Sequence, residues 1–211
     1  MKRGAPRAPP WTTIRTEETR GRPRRPVRWK GWYVGLFDKL VLPLPGRAKP
    51  TLKPVPTPED PQAVLAPVTG RLVALDEVAD PAFAQGMLGR GVGIRAEGDV
   101  AYAPVSGVVA ADVKTKHALL FRADNGAEVL LHVGLDSVAL HGAGFRTFVR
   151  KGERVSAGAP VMSFDRALMA ERGLDDTVML TVTNADDFSA VESVRAEGEV
   201  DAGSVVMRYA R

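Results

Sequence analysis

The feature that most constrains this chain is Asn125-Gly126, a tight-turn dipeptide set between Lys114-Thr115-Lys116-His117-Ala118-Leu119-Leu120-Phe121 and Ala127-Glu128-Val129-Leu130-Leu131-His132-Val133. Both residues tolerate positive φ, so the pattern predicts a β-hairpin closed by a type I′ turn. Strands over 117–123 and 127–133 then run antiparallel, with His117 and His132 near the same end of the ladder. Cross-strand and diagonal neighbours lie roughly 5–8 Å apart, a gap two imidazoles span. The hairpin thus predicts a histidine pair; the alternative is two unrelated strand histidines.

Short β-branched or Leu-rich runs separated by Gly, Pro, Asn and Asp continue on both sides. Strands are expected at 71–76, 92–97, 107–112, 146–150, 160–164, 177–183, 199–202 and 204–209, with helical turns at 166–173 and 186–193. The fold class expected is all-β, an antiparallel sandwich or barrel. Ala66-Pro67-Val68-Thr69-Gly70 recurs as Ala103-Pro104-Val105-Ser106-Gly107, each leading into an apolar strand, and Gly152 to Val161 reads as a further loop feeding a strand. Such echoes imply duplicated hairpin units.

The domain is expected over residues 63–211. Residues 1–34 hold ten Lys/Arg against two Glu, so they carry +8 while the remainder carries −4. The high pI belongs to this Arg- and Pro-rich leader, which lacks periodicity and is expected to be disordered; the domain itself gives no reason to expect nucleic-acid binding. Trp11, Trp29 and Trp32 among the arginines suit a basic stacking arm, and the alternative is a leader without function, or one not translated, Val34 being a usable start. Residues 35–42 form a short amphipathic segment, good for at most weak contact with a membrane surface. Seven prolines between Pro43 and Pro61 predict a linker of polyproline type over 43–62. There is no cysteine, hence no disulfide and no thiolate metal site. No apolar run approaches a membrane span of roughly 20 residues, and no secretory h-region is present.

Several ordered motifs carry a family resemblance: Gly35-Leu36-Phe37-Asp38-Lys39-Leu40, the two Ala-Pro-Val-x-Gly phrases, Gly91-Val92-Gly93-Ile94, Thr115-Lys116-His117-Ala118, Leu130 through Asp136, and His141-Gly142-Ala143-Gly144-Phe145. Together, over about residues 35–211, they resemble enzyme IIA of the glucose class in the bacterial phosphoenolpyruvate-dependent sugar phosphotransferase system. The resemblance implies a compact antiparallel β-sandwich and a cytoplasmic phosphocarrier. His132 would accept a phosphoryl group from the phosphohistidine carrier HPr and pass it to the IIB domain of a IIB/IIC sugar permease. His117 would stabilise the phosphoryl group, with Thr115 as its hydrogen-bond partner. The chemistry agrees: an imidazole with pKa near 6.5 is largely neutral at cellular pH and is a nucleophile without a separate base.

The resemblance also implies a docking surface of Phe83, Met87, Leu88, Val113, Leu130 and Val138, rimmed by Asp80 and Asp136, that meets a basic partner. Ordinary core is the alternative for the apolar members. No cofactor is required, although His117 and His132 are zinc ligands in relatives when a partner supplies a carboxylate. His141 reads as a solvated loop residue. Pro81-Ala82 and Val113 depart from the bulkier residues the family pattern leads one to expect, and would trim the docking surface. Three other classes share parts of this pattern or of this architecture. A regulator that reports its phosphorylation state to target proteins uses the same residues. A zinc endopeptidase would need His-x-His, and a biotinyl or lipoyl carrier a lysine at the hairpin tip; both are missing.

Overall fold

A computed structural model describes residues 52–210. The leader expected at 1–34, the segment at 35–42 and the first part of the Pro-rich stretch lie outside the described residues.

Fourteen strands run through the described residues: β1 Ala63–Leu65, β2 Gly70–Ala74, β3 Arg90–Ala96, β4 Val100–Tyr102, β5 Gly107–Asp112, β6 Ala118–Ala123, β7 Glu128–Val133, β8 Phe145–Thr147, β9 Arg154–Val155, β10 Pro160–Phe164, β11 Val178–Val182, β12 Ala190–Ser193, β13 Gly198–Val200 and β14 Val205–Ala210. One eight-stranded sheet has the order β13-β2-β3-β11-β7-β6-β5-β9; two three-stranded sheets are ordered β1-β14-β12 and β4-β10-β8. All the pairings are antiparallel, and the fold is an all-β sandwich. Two short helices interrupt it, α1 Pro81–Ala84 and α2 Arg166–Glu171. The second was expected from sequence and is capped by Asp165, whose Oδ1 accepts the Leu168 N–H at 2.9 Å.

The β6–β7 hairpin forms, paired from Ala118↔His132 to Arg122↔Glu128, one residue offset from the register that a two-residue loop at Asn125-Gly126 would give. Its turn is not type I′. Only Gly126 has positive φ, at 93°, and its N–H donates to the Ala123 carbonyl at 2.9 Å. This is a type I turn closed by a glycine bulge. Asn125 is spent on distant contacts instead: its Nδ2 donates to the Pro61 carbonyl at 2.6 Å and its Oδ1 accepts the Tyr209 hydroxyl at 2.8 Å. A second correction concerns 186–193, expected to be helical. A single 3-10 turn, Ala185–Asp187, is followed by β12, which forms by pairing with the open edge of β14 rather than from local helix propensity.

The repeated phrases prove to be structural equivalents. Leu65 N–H donates to the Pro104 carbonyl at 2.9 Å, and Tyr102 N–H donates to the Pro67 carbonyl at 2.8 Å, so the two repeats bond each other reciprocally. Each also grips a loop in the same way. Thr69 Oγ1 accepts from Ala202 N–H and Ser106 Oγ accepts from Ala157 N–H, at 3.1 and 3.0 Å. The closing glycines match as well: a Cβ on Gly70 or Gly107 would stand 2.1 Å from the Arg95 or Arg122 carbonyl oxygen of the paired strand. The hydroxyl and the glycine of Pro-Val-(Thr/Ser)-Gly are therefore structural necessities, used twice.

Residues 55–61, from the end of the Pro-rich stretch, lie against the domain. Val55 N–H donates to the Gly158 carbonyl at 3.0 Å, and the absence of side chains at Gly158 and Gly203 makes room for Val55 and Pro56. Asp60 pairs with Arg208 at 3.0 Å.

Candidate functional site

Burial along β7 alternates from Glu128 to Val133, with Val129, Leu131 and Val133 in the main core. Leu130 and His132 point to the other face, as period-two geometry requires. That face is covered by a small satellite cluster of Val73, Val78, Phe83, Leu135 and Met179, against which Leu75 and Leu130 pack. The cover comes from the excursion between β2 and β3. Asp80 caps α1 there, its Oδ1 accepting the N–H groups of Ala82 at 2.8 Å and Phe83 at 3.3 Å, with Pro81 at the first helical position. The short helix delivers Phe83 to His132, ring centroids 5.2 Å apart and edge-on.

His117 enters from the turn between β5 and β6. Lys116 N–H donates to the Val113 carbonyl at 2.9 Å and Lys116 is left-handed at φ 60°, which swings His117 into the start of β6. Its carbonyl accepts the Val133 N–H at 2.9 Å. The His117 and His132 rings meet edge to face with centroids 4.7 Å apart. The histidine pair expected from the hairpin is present. Thr115 Oγ1 lies 2.8 Å from His117 Nδ1, and Phe145 closes the other side of His117 at 6.5 Å between centroids.

The electrostatics favour neutral rings. Burial pushes the His132 pKa down to about 4, helped by His117 and opposed by the Asp80 carboxylate and the Gly134 carbonyl. Burial lowers His117 as well. His132 Nδ1 is enclosed and has no hydrogen-bond partner among the described residues. With Nδ1 shut in, Nε2 is the nitrogen that an incoming group meets.

The expected docking residues divide in two. Met87, Leu88, Val113 and Val138 are exposed, at 72%, 37%, 39% and 53%, which is unusual for large apolar side chains. They lie on the segments that carry the site: Met87 and Leu88 after α1, Val113 in the turn before His117, and Val138 just beyond Asp136. Phe83 is core at 3% exposure and Leu130 is half-buried. Those two support His132 from beneath, so the core alternative describes them better than presentation to a partner. Asp136 is exposed and left-handed at φ 52°, while Asp80 is half-buried and committed to its cap. His141 is exposed on the loop after the 3-10 turn Ser137–Leu140. Among the described residues no group of three or more His, Cys, Asp or Glu converges to hold a metal, so the two histidines supply only part of a zinc set.

Sequence reasoning missed two hydroxyls. Thr181, buried in β11, donates to the Leu88 carbonyl at 2.7 Å and anchors the Met87-Leu88 segment. Ser137, also buried, donates to the Val133 carbonyl at 2.6 Å. A threonine inside an apolar strand, and a serine three residues past a turn glycine, were the available signals.

The geometry agrees with what known proteins show. The family model for the phosphoenolpyruvate-dependent sugar phosphotransferase system, EIIA 1, matches residues 62–188. The PTS system glucose-specific EIIA component of Oceanobacillus iheyensis is 40% identical over 140 residues, covering 66% of this chain and 84% of that protein. The beta-glucoside-specific EIIBCA component of Dickeya chrysanthemi is 41% identical over 143 residues, 68% of this chain but only 22% of that longer protein. Among solved structures, glucose permease IIA from Mycoplasma capricolum aligns with a TM-score of 0.60 at 35% identity, over 69% of this chain and 93% of that one. With more than half its length matched by the family model, and with the sheet order carrying its histidine pair, this chain belongs to the EIIA 1 family of the sugar phosphotransferase system.

Proposed function

We propose that the chain is a cytoplasmic phosphocarrier that receives a phosphoryl group from phospho-HPr on His132 Nε2 and hands it to the IIB domain of a sugar permease. The observation that carries this reading is the His117–His132 pair, 4.7 Å apart, with one nitrogen of the acceptor ring enclosed and both rings held neutral. As the P–N bond to the donor imidazole breaks, a P–N bond to Nε2 forms, and the donor ring keeps the electron pair. Phosphoryl transfer of this kind needs positioning and charge stabilisation more than a base. With the Thr115 hydroxyl 2.8 Å from its Nδ1, the tautomer of His117 in which Thr115 donates to Nδ1 has Nε2–H to donate to a phosphoryl oxygen. The exposed Met87, Leu88, Val113 and Val138 provide apolar contact and Asp136 an acidic rim. The fusion relatives, named EIIBCA, support the IIB partner. Among the described residues no helix is long and apolar enough to cross a membrane.

The test is intact mass after incubation with enzyme I, HPr and phosphoenolpyruvate. Wild type gains one phosphoryl group, His132→Ala gains none, and His117→Ala gains it but passes it on poorly. No label on wild type, with active enzyme I and HPr from the same organism, would sink the reading.

A further inference from the structure

β11 is buried along its whole length, Val178-Met179-Leu180-Thr181-Val182, and Thr181 is its one polar side chain. A hydroxyl in such a place costs stability unless it is bonded. It is bonded: Thr181 Oγ1 donates to the Leu88 carbonyl at 2.7 Å. The sheet sets this donor on the face that carries His132. Met179 pairs with His132 and Thr181 with Leu130, so Thr181 stands one pleat from His132 on the neighbouring strand.

The segment that the hydroxyl reaches is tied to the histidine pair by a second route. Met87 N–H donates to the Ala82 carbonyl at 3.0 Å, and Ala82 precedes Phe83, whose ring meets His132 at 5.2 Å. Gly89 N–H donates to the Gly86 carbonyl at 3.1 Å, and a Cβ on Gly89 would stand 2.2 Å from the Val182 carbonyl oxygen, so the chain runs hard against β11 there. Met87 and Leu88 nevertheless face solvent. Two large apolar side chains are thus held outward while the carbonyl of the second is fastened inward.

We infer that Thr181 is a positioning residue for partner docking: its hydroxyl fastens the Leu88 carbonyl to β11 and so holds Met87 and Leu88 in one setting for the apolar surface of the phosphoryl donor. Without the hydroxyl the Leu88 carbonyl loses its donor and the turn loosens. The cost of ordering both side chains then falls on association, while the transferred group is untouched. This inference rests on the phosphocarrier reading, because the held side chains serve the docking of a phosphoryl donor.

The experiment compares the full chain with Thr181→Val, which lacks the donor, and Thr181→Ser, which keeps it. Amide hydrogen exchange is read without any partner. In Thr181→Val the Met87 and Gly89 amides exchange about tenfold faster, while those of the β6–β7 hairpin keep the wild-type rate. In phosphoryl uptake from phospho-HPr the half-saturating concentration rises about fivefold, and the rate at saturation stays within about twofold of wild type. Thr181→Ser restores exchange and half-saturation. In a chain that also carries Met87→Ala and Leu88→Ala, Thr181→Val no longer changes half-saturation. Should the valine chain fail to fold, Thr181→Cys, with a weaker donor, shows the same rise. An unchanged half-saturation, a loss of rate at saturation alone, or a rise that persists in the Met87→Ala, Leu88→Ala chain overturns the inference and leaves Thr181 a structural residue. A wild type that takes no label overturns the carrier reading and the inference with it; a labelled wild type with an indifferent Thr181→Val overturns the inference alone.

Discussion

Thr115 and His117 share a 2.8 Å contact across the left-handed Lys116, so Nδ1 of His117 is occupied by a hydroxyl two residues away. A threonine donating to Nδ1 selects the tautomer with its proton on Nε2, and that proton is the one a phosphoryl group on His132 would meet. Thr115→Val keeps the shape and deletes the bond. Uptake of the phosphoryl group is expected to persist, while transfer to the IIB domain slows roughly tenfold, the size of one neutral hydrogen bond. Rapid-quench transfer kinetics would show it, and equal slowing of both steps would contradict the assignment.

Acid should weaken both fold and function. The His132 pKa is pushed down to about 4, against about 6.5 in an unfolded chain. Between those values the unfolded state binds more protons, so stability is fully present above pH 6.5 and declines as pH falls toward 4, by at most about 3 kcal/mol from this residue. Lowering of His117 acts in the same direction. Urea midpoints at pH 7.5, 5.5 and 4.5 should fall in that order, and His132→Gln should flatten the decline. A His132 proton titration centred near 6.5 would refute the burial argument.

Asp80 has two roles that one substitution separates. Asn caps a helix about as well as Asp, so Asp80→Asn should leave α1 and the melting temperature nearly unchanged. It removes the carboxylate that opposes the fall of the His132 pKa, which should drop further below 4. Asp80→Ala should cost about 1 kcal/mol of stability in addition. Histidine titration by NMR and thermal melts on the two variants distinguish the roles.

Phe83 is the largest side chain of the satellite cluster and the floor beside His132. Phe83→Ala should destabilise the domain by about 3–4 kcal/mol and loosen the His132 ring. Val138→Ala, at an exposed position, should change stability by less than about 0.5 kcal/mol while weakening association with HPr. Paired denaturation and binding measurements would expose either position if the roles were exchanged.

A methyl group at Gly107 would lie 2.1 Å from the Arg122 carbonyl oxygen, and at Gly70 equally close to that of Arg95. Gly107→Ala and Gly70→Ala should therefore both be severely destabilising, to similar degrees, if the two repeats are equivalent. Expression and melting temperature of the two variants side by side check the equivalence.

The hairpin and its histidine pair were legible because they depend on neighbours in sequence: a turn dipeptide and two apolar arms of matching length. The Pro-Val-x-Gly echo was legible as pattern, yet its meaning lay in bonds between Leu65 and Pro104 and between Tyr102 and Pro67, which no local signal shows. The type I′ reading of Asn125 failed because Tyr209 and Pro61, far away in the chain, use its side chain. β12 was missed because an edge strand is made by its partner, β14. The apolar run Val129-Leu130-Leu131 hid the fact that successive side chains leave by opposite faces, so Leu130 and Phe83 were read as docking surface when they are the support beneath it.

Pro61 is held at the Asn125 turn, and His132 lies seven residues up the strand from Asn125, a separation of roughly 23 Å at strand rise. The segment that ends at Pro61 therefore binds the end of the hairpin opposite its two histidines.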